Sequence, residues 1–113
     1  MKSAFDLSRC LVLGAGLLWL APCSVVQAAS DDDRGKQLFL KDATPPCAVC
    51  HTLSDAGATG AVGPSLDELK PDEQRVIRAL KSGVGVMPAY TQLSADDMQA
   101  VARYVARASG AAK

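Results

Sequence analysis

The stretch Cys47-Ala48-Val49-Cys50-His51 limits what this 113-residue chain can become more than any other feature. A C-x-x-C-H run is the signature of covalent c-type haem attachment. On one helical turn, positions i, i+3 and i+4 share a face. Two thiols can then form thioethers with the two haem vinyl groups while the adjacent imidazole points at the iron. His51 is the only histidine in the chain, so the sequence offers one haem site and a single nitrogen ligand. Two other uses of the cysteines fit the sequence poorly. A thiol oxidoreductase would want a βαβ context around C-x-x-C, and zinc would want three or four ligands.

The first residues read as an export signal rather than as fold. Lys2 and Arg9 precede the apolar run Cys10–Ala21, which is too short for a relaxed membrane span, and Val26-Gln27-Ala28 places small residues at a cleavage site. The expectation is a secretory signal over 1–28 and one domain over 29–113, periplasmic and without stable membrane insertion. Cys23 resembles the cysteine of a lipobox, but Pro22 stands where that pattern wants a small residue, so lipid anchoring is the weaker reading.

Removing the signal takes away Lys2, Arg9 and Asp6 and leaves ten basic against eleven acidic residues. No clustered basic patch of the kind nucleic acid requires is present. Cys10, Cys23 and Trp19 also go, so the domain keeps two thiols and only Phe39, Tyr90 and Tyr104 as aromatics. A chain this short is marginal by size alone. Small scaffolds commonly need an added staple, and a covalently held apolar macrocycle would complete the core.

The pattern along 29–113 is helical. A first helix is expected over about 32–41, with Asp31, Asp32 and Asp33 favourable at its N-terminus and Gly35, Leu38 and Phe39 on one side. Thr44-Pro45-Pro46 stops it. A loop containing Gly57, Gly60 and Gly63 ends at Pro64, and Ser65-Leu66-Asp67-Glu68 reads as a capping box. Pro71 is expected to start a helix carrying Val76, Ile77 and Leu80, closed by Gly83. An irregular stretch over 83–93 follows. Ser94 caps a last helix with Met98, Val101, Ala102 and Val105 on its apolar stripe. No run alternates with period two and no repeat appears, so the fold class is all-α.

A haem held by one histidine takes a second protein ligand or keeps an open position. No second histidine exists, and the domain has two methionines. Met98 sits among apolar neighbours at i+3, i+4 and i+7 and reads as core filler. Met87 lies in the irregular stretch, after Gly83 and Gly85 and before Pro88, where glycine permits close backbone approach and proline enforces extended geometry. Met87 is therefore the expected axial ligand. An open-site haem binding a gas or peroxide is the alternative if it is not.

Over residues 32–108 the chain resembles the small monohaem class I cytochromes c. The resemblance rests on Gly35-x-x-x-Phe39, Cys47 to His51, Gly63-Pro64-x-Leu66, Met87-Pro88, and a final helix with Val101 and Tyr104. It implies a class I cytochrome c fold around one haem c, bound through Cys47 and Cys50. The function implied is electron transfer rather than enzymatic catalysis. It also implies that the first and last helices cross at Gly35 with Phe39 against Tyr104, and that the Pro64 carbonyl accepts a hydrogen bond from His51. Many relatives carry a tryptophan near a haem propionate; here it is absent and Tyr90 is the candidate for its place. The walls are expected from Leu38, Phe39, Leu66, Val76, Ile77, Leu80 and Val105. Lys36, Lys41, Lys70 and Lys81 read as ordinary solvated surface rather than as a docking ring. The wording of CAVCHTL-DAGA, VGPSLDELKPD and GVGVMPAY is similar to cytochromes that accept electrons from periplasmic molybdenum sulfite dehydrogenases. That similarity implies such a dehydrogenase as donor and an oxidase or another cytochrome as acceptor.

Overall fold

The computed structural model describes residues 28–112. The signal segment and Cys23 lie outside the described residues. Helix α1 (Ala28–Gln37) runs into a widened π-helical turn over Leu38–Asp42, where Ala43 N donates to Leu38 O at 3.1 Å. After the proline pair comes a 3₁₀ turn, Cys47–Val49. Two short strands, β1 (Thr52–Leu53) and β2 (Ala58–Thr59), pair antiparallel around a second 3₁₀ turn, Ser54–Ala56. Three helices follow: α2 (Leu66–Leu69), α3 (Glu73–Ser82) and α4 (Ala95–Ala108). Helix dominates, as the sequence implies. The hairpin is the addition, and two-residue strands are too short to show any alternation.

Helices α1 and α4 cross at Gly35. A Cβ there would lie 2.4 Å from the Ala100 carbonyl oxygen and 2.5 Å from Tyr104 Cβ, so only hydrogen fits between the backbones. Phe39 meets Tyr104 edge-on, with centroids 6.0 Å apart at 61°, and both residues are fully buried. This geometry suits the ring quadrupoles. Arg107 lies over the other side of the Tyr104 ring, 5.6 Å from its centroid.

The aspartates near the start of α1 have a different use from the one expected. The helix begins at Ala28, so only Asp31 falls in its first turn. Asp31 pairs with Arg103 at 3.0 Å and Asp32 with Arg107 Nε at 2.8 Å, while Arg34 bridges Asp42 and Asp97. These contacts lace α1 to α4. The hydroxyl of Tyr104 donates to Asp55 at 2.8 Å, and Lys36 donates to the Asp55 carbonyl at 2.8 Å, which ties the 54–56 turn to the crossing.

Helix ends follow local chemistry with two corrections. The Ser94 hydroxyl accepts from Asp97 N at 3.0 Å as expected. Asp72, not Pro71, is the cap of α3, accepting from Arg75 N at 2.7 Å, and Pro71 precedes it. Ser65 makes no side-chain cap bond to α2. The Asp67 carboxylate, inside the stretch read as a capping box, accepts from Ser54 N and Oγ at 2.9 and 3.0 Å and joins α2 to the hairpin.

Two outcomes are expected. Gly35→Ala should lower the melting temperature by an amount corresponding to about 1–3 kcal/mol, the usual cost of overpacking, in a thermal melt followed by circular dichroism. The Tyr104 hydroxyl, followed by Lys36, holds the Asp55 carboxyl below the ordinary carboxylate range. A depressed folded-state pKa gives stability that is present above the unfolded value and is lost as pH falls through the folded one. Denaturant titrations below about pH 4 should therefore show a shallower acid loss in Asp55→Asn than in the parent.

Candidate functional site

Cys47, Cys50, His51, Pro64 and Met87 all line one cavity of about 450 Å³. Its other walls come from the π-helical turn and from α2, α3 and α4, including Phe39, Leu66, Val76, Leu80 and Val105. Leu38 and Ile77 do not reach it. Leu38 is spent in the core beside Phe39, and Ile77 lies half-buried elsewhere on α3.

The Cys47–Val49 turn presents the motif. Both Cys50 N and His51 N donate to the Cys47 carbonyl, at 3.1 and 3.0 Å, so the backbone closes tightly and keeps both sulfurs and the imidazole on one wall. The turn is 3₁₀ over Cys47–Val49, and the bond from His51 N adds the α-type closure that the spacing suggested. His51 Nδ1 lies 2.8 Å from the Pro64 carbonyl oxygen. A carbonyl only accepts, so Nδ1 carries the proton and Nε2 keeps a free lone pair. Such a bond fixes the ring and raises its basicity as a ligand.

Two glycines make room for this ring. A Cβ at Gly63 would lie 2.5 Å from His51 Cε1 and 2.8 Å from Nδ1, and a Cβ at Gly60 would lie 2.6 Å from His51 N. Gly63 N also donates to the Cys50 carbonyl at 2.8 Å, which folds the loop back over the motif.

Met87 is offered by a closed turn. Val84 N donates to Met87 O at 3.0 Å and Met87 N to Val84 O at 2.9 Å, with Gly85 at φ +57° between them. The tip exposes Val84 and Val86, the latter 89% exposed. Met98 packs against the core from α4 and takes no part in the cavity, as its apolar neighbours imply.

Burial pushes the Cys47 thiol up to about 11, against smaller opposing contributions from its own backbone amide and the Tyr90 hydroxyl. The thiolate is the reactive form, so a thiol held neutral is a poor redox nucleophile. Among the described residues no group of three or more His, Cys, Asp or Glu could hold a metal ion, which leaves the zinc reading without ligands. Tyr90 is buried, and its hydroxyl donates to the Pro45 carbonyl at 2.8 Å, so its proton is already committed. Burial pushes this phenol up to about 12.

Sequence reading missed Arg75, which with His51 is the only ionisable nitrogen base on the cavity wall. Its place on the first turn of α3, one residue before Val76, was the available signal. None of Lys36, Lys41, Lys70 or Lys81 lines the cavity, and Lys36 is held by Asp55. Apolar walls, paired thiols, an imidazole with a free Nε2, a thioether and a glycine-cleared seat for the ring together fit a haem.

The family profile described as "Cytochrome C oxidase, cbb3-type, subunit III" matches residues 30–105. The crystal structure of the c-type cytochrome SorU from Sinorhizobium meliloti is 48% identical, with a TM-score of 0.71, covering 73% of this chain and 94% of that one.

This chain belongs to the c-type cytochrome family.

No curated protein sequence matches it. As a small c-type cytochrome it is an electron-transfer protein rather than an enzyme, with the class I fold that the SorU match shares. Among the described residues of the cytochrome no helix is long and apolar enough to cross a membrane. Gly63→Val should drive the His51 ring off the Pro64 carbonyl. The expected result is a several-fold lower yield of haem-bearing protein, read as the ratio of haem to protein absorbance in the exported fraction.

Proposed function

We propose that this cytochrome carries one electron at a time on a single haem c, attached through Cys47 and Cys50 and ligated by His51 and Met87. The observation that carries the reading is the convergence of those four side chains, with the Pro64 carbonyl behind the imidazole, on one apolar cavity. When bound, such a group supplies a one-electron Fe(III)/Fe(II) couple, and methionine as its second ligand raises the potential. The chain's own residues do the rest. His51 offers Nε2 while Nδ1 is held by Pro64. Met87 offers a neutral sulfur, and with it in place no position is left for a substrate. Leu66, Val76, Leu80 and Val105 keep the site apolar, which disfavours the more highly charged oxidised form.

The mature protein in this proposal is 29–113, periplasmic after cleavage at Ala28. Val62, Val84 and Val86 line the cavity mouth and are all strongly exposed. These exposed valines support docking through brief apolar contact over a small area, as is usual for redox encounters. The wording of the three loops supports a periplasmic molybdenum sulfite dehydrogenase as donor, with an oxidase or another cytochrome as acceptor.

Met87→Ala should abolish the weak sulfur-to-iron band at the red end of the ferric spectrum. It should also lower the midpoint potential by roughly one to three tenths of a volt, within the ~0.8 V range that axial ligands span. Met98→Leu should change neither. A parent protein lacking that band would instead favour the open-site haem. Mass spectrometry of the exported chain should give residues 29–113 plus one haem. Reduction by a sulfite dehydrogenase should depend only weakly on ionic strength; failure of that enzyme to reduce it removes the donor assignment and leaves the carrier reading standing.

A further inference from the structure

We propose that Tyr90 and Gln92 are positioning residues that clamp the Met87 turn to the segment leading into Cys47, and so set how readily Met87 leaves the iron. The inference rests on the His51/Met87 ligation proposed above and goes beyond it.

The turn carrying Met87 has few anchors of its own. Its internal bonds, Val84 to Met87 and back, close it but tie it to nothing else. On the N-terminal side it hangs from α3 through Gly83 N, which donates to Ala79 O at 2.8 Å. On the C-terminal side Pro88 and Ala89 are exposed, and Tyr90 is the first buried residue, 3% exposed. Tyr90 N donates to Leu80 O and Tyr90 Oη to Pro45 O, both at 2.8 Å. Two residues later Gln92 Nε2 donates to Thr44 O at 2.7 Å. Among the described residues these are the two side-chain hydrogen bonds that join the 83–93 stretch to the rest of the molecule.

Their acceptors are the informative part. Thr44 and Pro45 directly precede the Cys47 turn, so the strap that offers the thioether is fastened to the strand of chain that offers the first cysteine. With only Pro88 and Ala89 between Met87 and Tyr90, the sulfur can withdraw far only if the Tyr90 anchor lets go. Breaking one buried, neutral hydrogen bond changes an equilibrium by about two- to tenfold.

The test is the rate at which imidazole displaces the thioether in the ferric holoprotein, followed by loss of the red-end sulfur-to-iron band. Tyr90→Phe keeps the ring and removes the bond, and displacement should be roughly five- to tenfold faster. Gln92→Leu should accelerate it about twofold, the low end of the same range because this side chain is exposed. Tyr104→Phe is the control. It removes a hydroxyl bond of the same 2.8 Å length, to Asp55 rather than to the segment before Cys47, and should leave the rate unchanged. An unchanged rate in Tyr90→Phe, or equal acceleration in Tyr104→Phe, would overturn the proposal while leaving the ligation intact. Should Tyr90→Phe fail to load haem, Gln92→Leu decides alone, and an unchanged rate there overturns the proposal. Absence of the band in the parent would defeat the ligation reading and this inference together.

Discussion

One proton on His51 Nδ1 organises the site. Because the Pro64 carbonyl can only accept, the bond at 2.8 Å selects the tautomer, holds the ring plane and leaves the Nε2 lone pair free on a cavity wall. The loop that brings Pro64 to the ring works only if nothing projects from Gly60 and Gly63, whose missing side chains lie within 3 Å of the motif. The cavity, the motif turn and the loop over it are thus mutually dependent, and disturbing any one misaims the imidazole.

The second dependence is mechanical. Helices α1 and α4 approach closely enough at Gly35 to bury Phe39 and Tyr104 against each other, and Phe39, Val101 and Val105 then form part of the cavity wall. The same Tyr104 ring holds Asp55 through its hydroxyl, which brings the hairpin side of the site into register with the crossing. A single aromatic residue thereby touches the core, the loop and the ion-pair lacing around Arg107. Individual exposed ion pairs contribute little; the value of this set lies in fixing which turn of α1 faces which turn of α4.

Local signals were legible in the sequence, and distant pairings were not. C-x-x-C-H, the stop at Pro45-Pro46, the Ser94 cap and the glycine ending α3 are written within a few adjacent residues, and each appears in the fold. Separating Met87 from Met98 needed only helical spacing and the surrounding glycines and proline. Asp67 reads as one more residue of a capping box at Ser65 until the hairpin, thirteen residues away, places Ser54 within reach of its carboxylate. Asp31 and Asp32 likewise look like helix-dipole residues until α4, seventy-two and seventy-five residues on, presents Arg103 and Arg107. Ile77 fails as a wall residue because its apolar spacing on α3 says which residues are covered, not by what.

The lacing of the two ends has a consequence for the order in which the molecule can close. A polypeptide threaded from its N-terminus, whether from a ribosome or through a translocation channel, delivers Asp31, Asp32 and Gly35 long before Ala100, Arg103 and Arg107. Until the last helix emerges, α1 has no surface to lie on, and contacts across so long a loop carry a high closure entropy. Cys47 therefore travels through an interval in which the burial that later makes its thiol unreactive does not yet exist. The topology itself leaves Cys47 uncovered early, then buries it once the last helix has arrived.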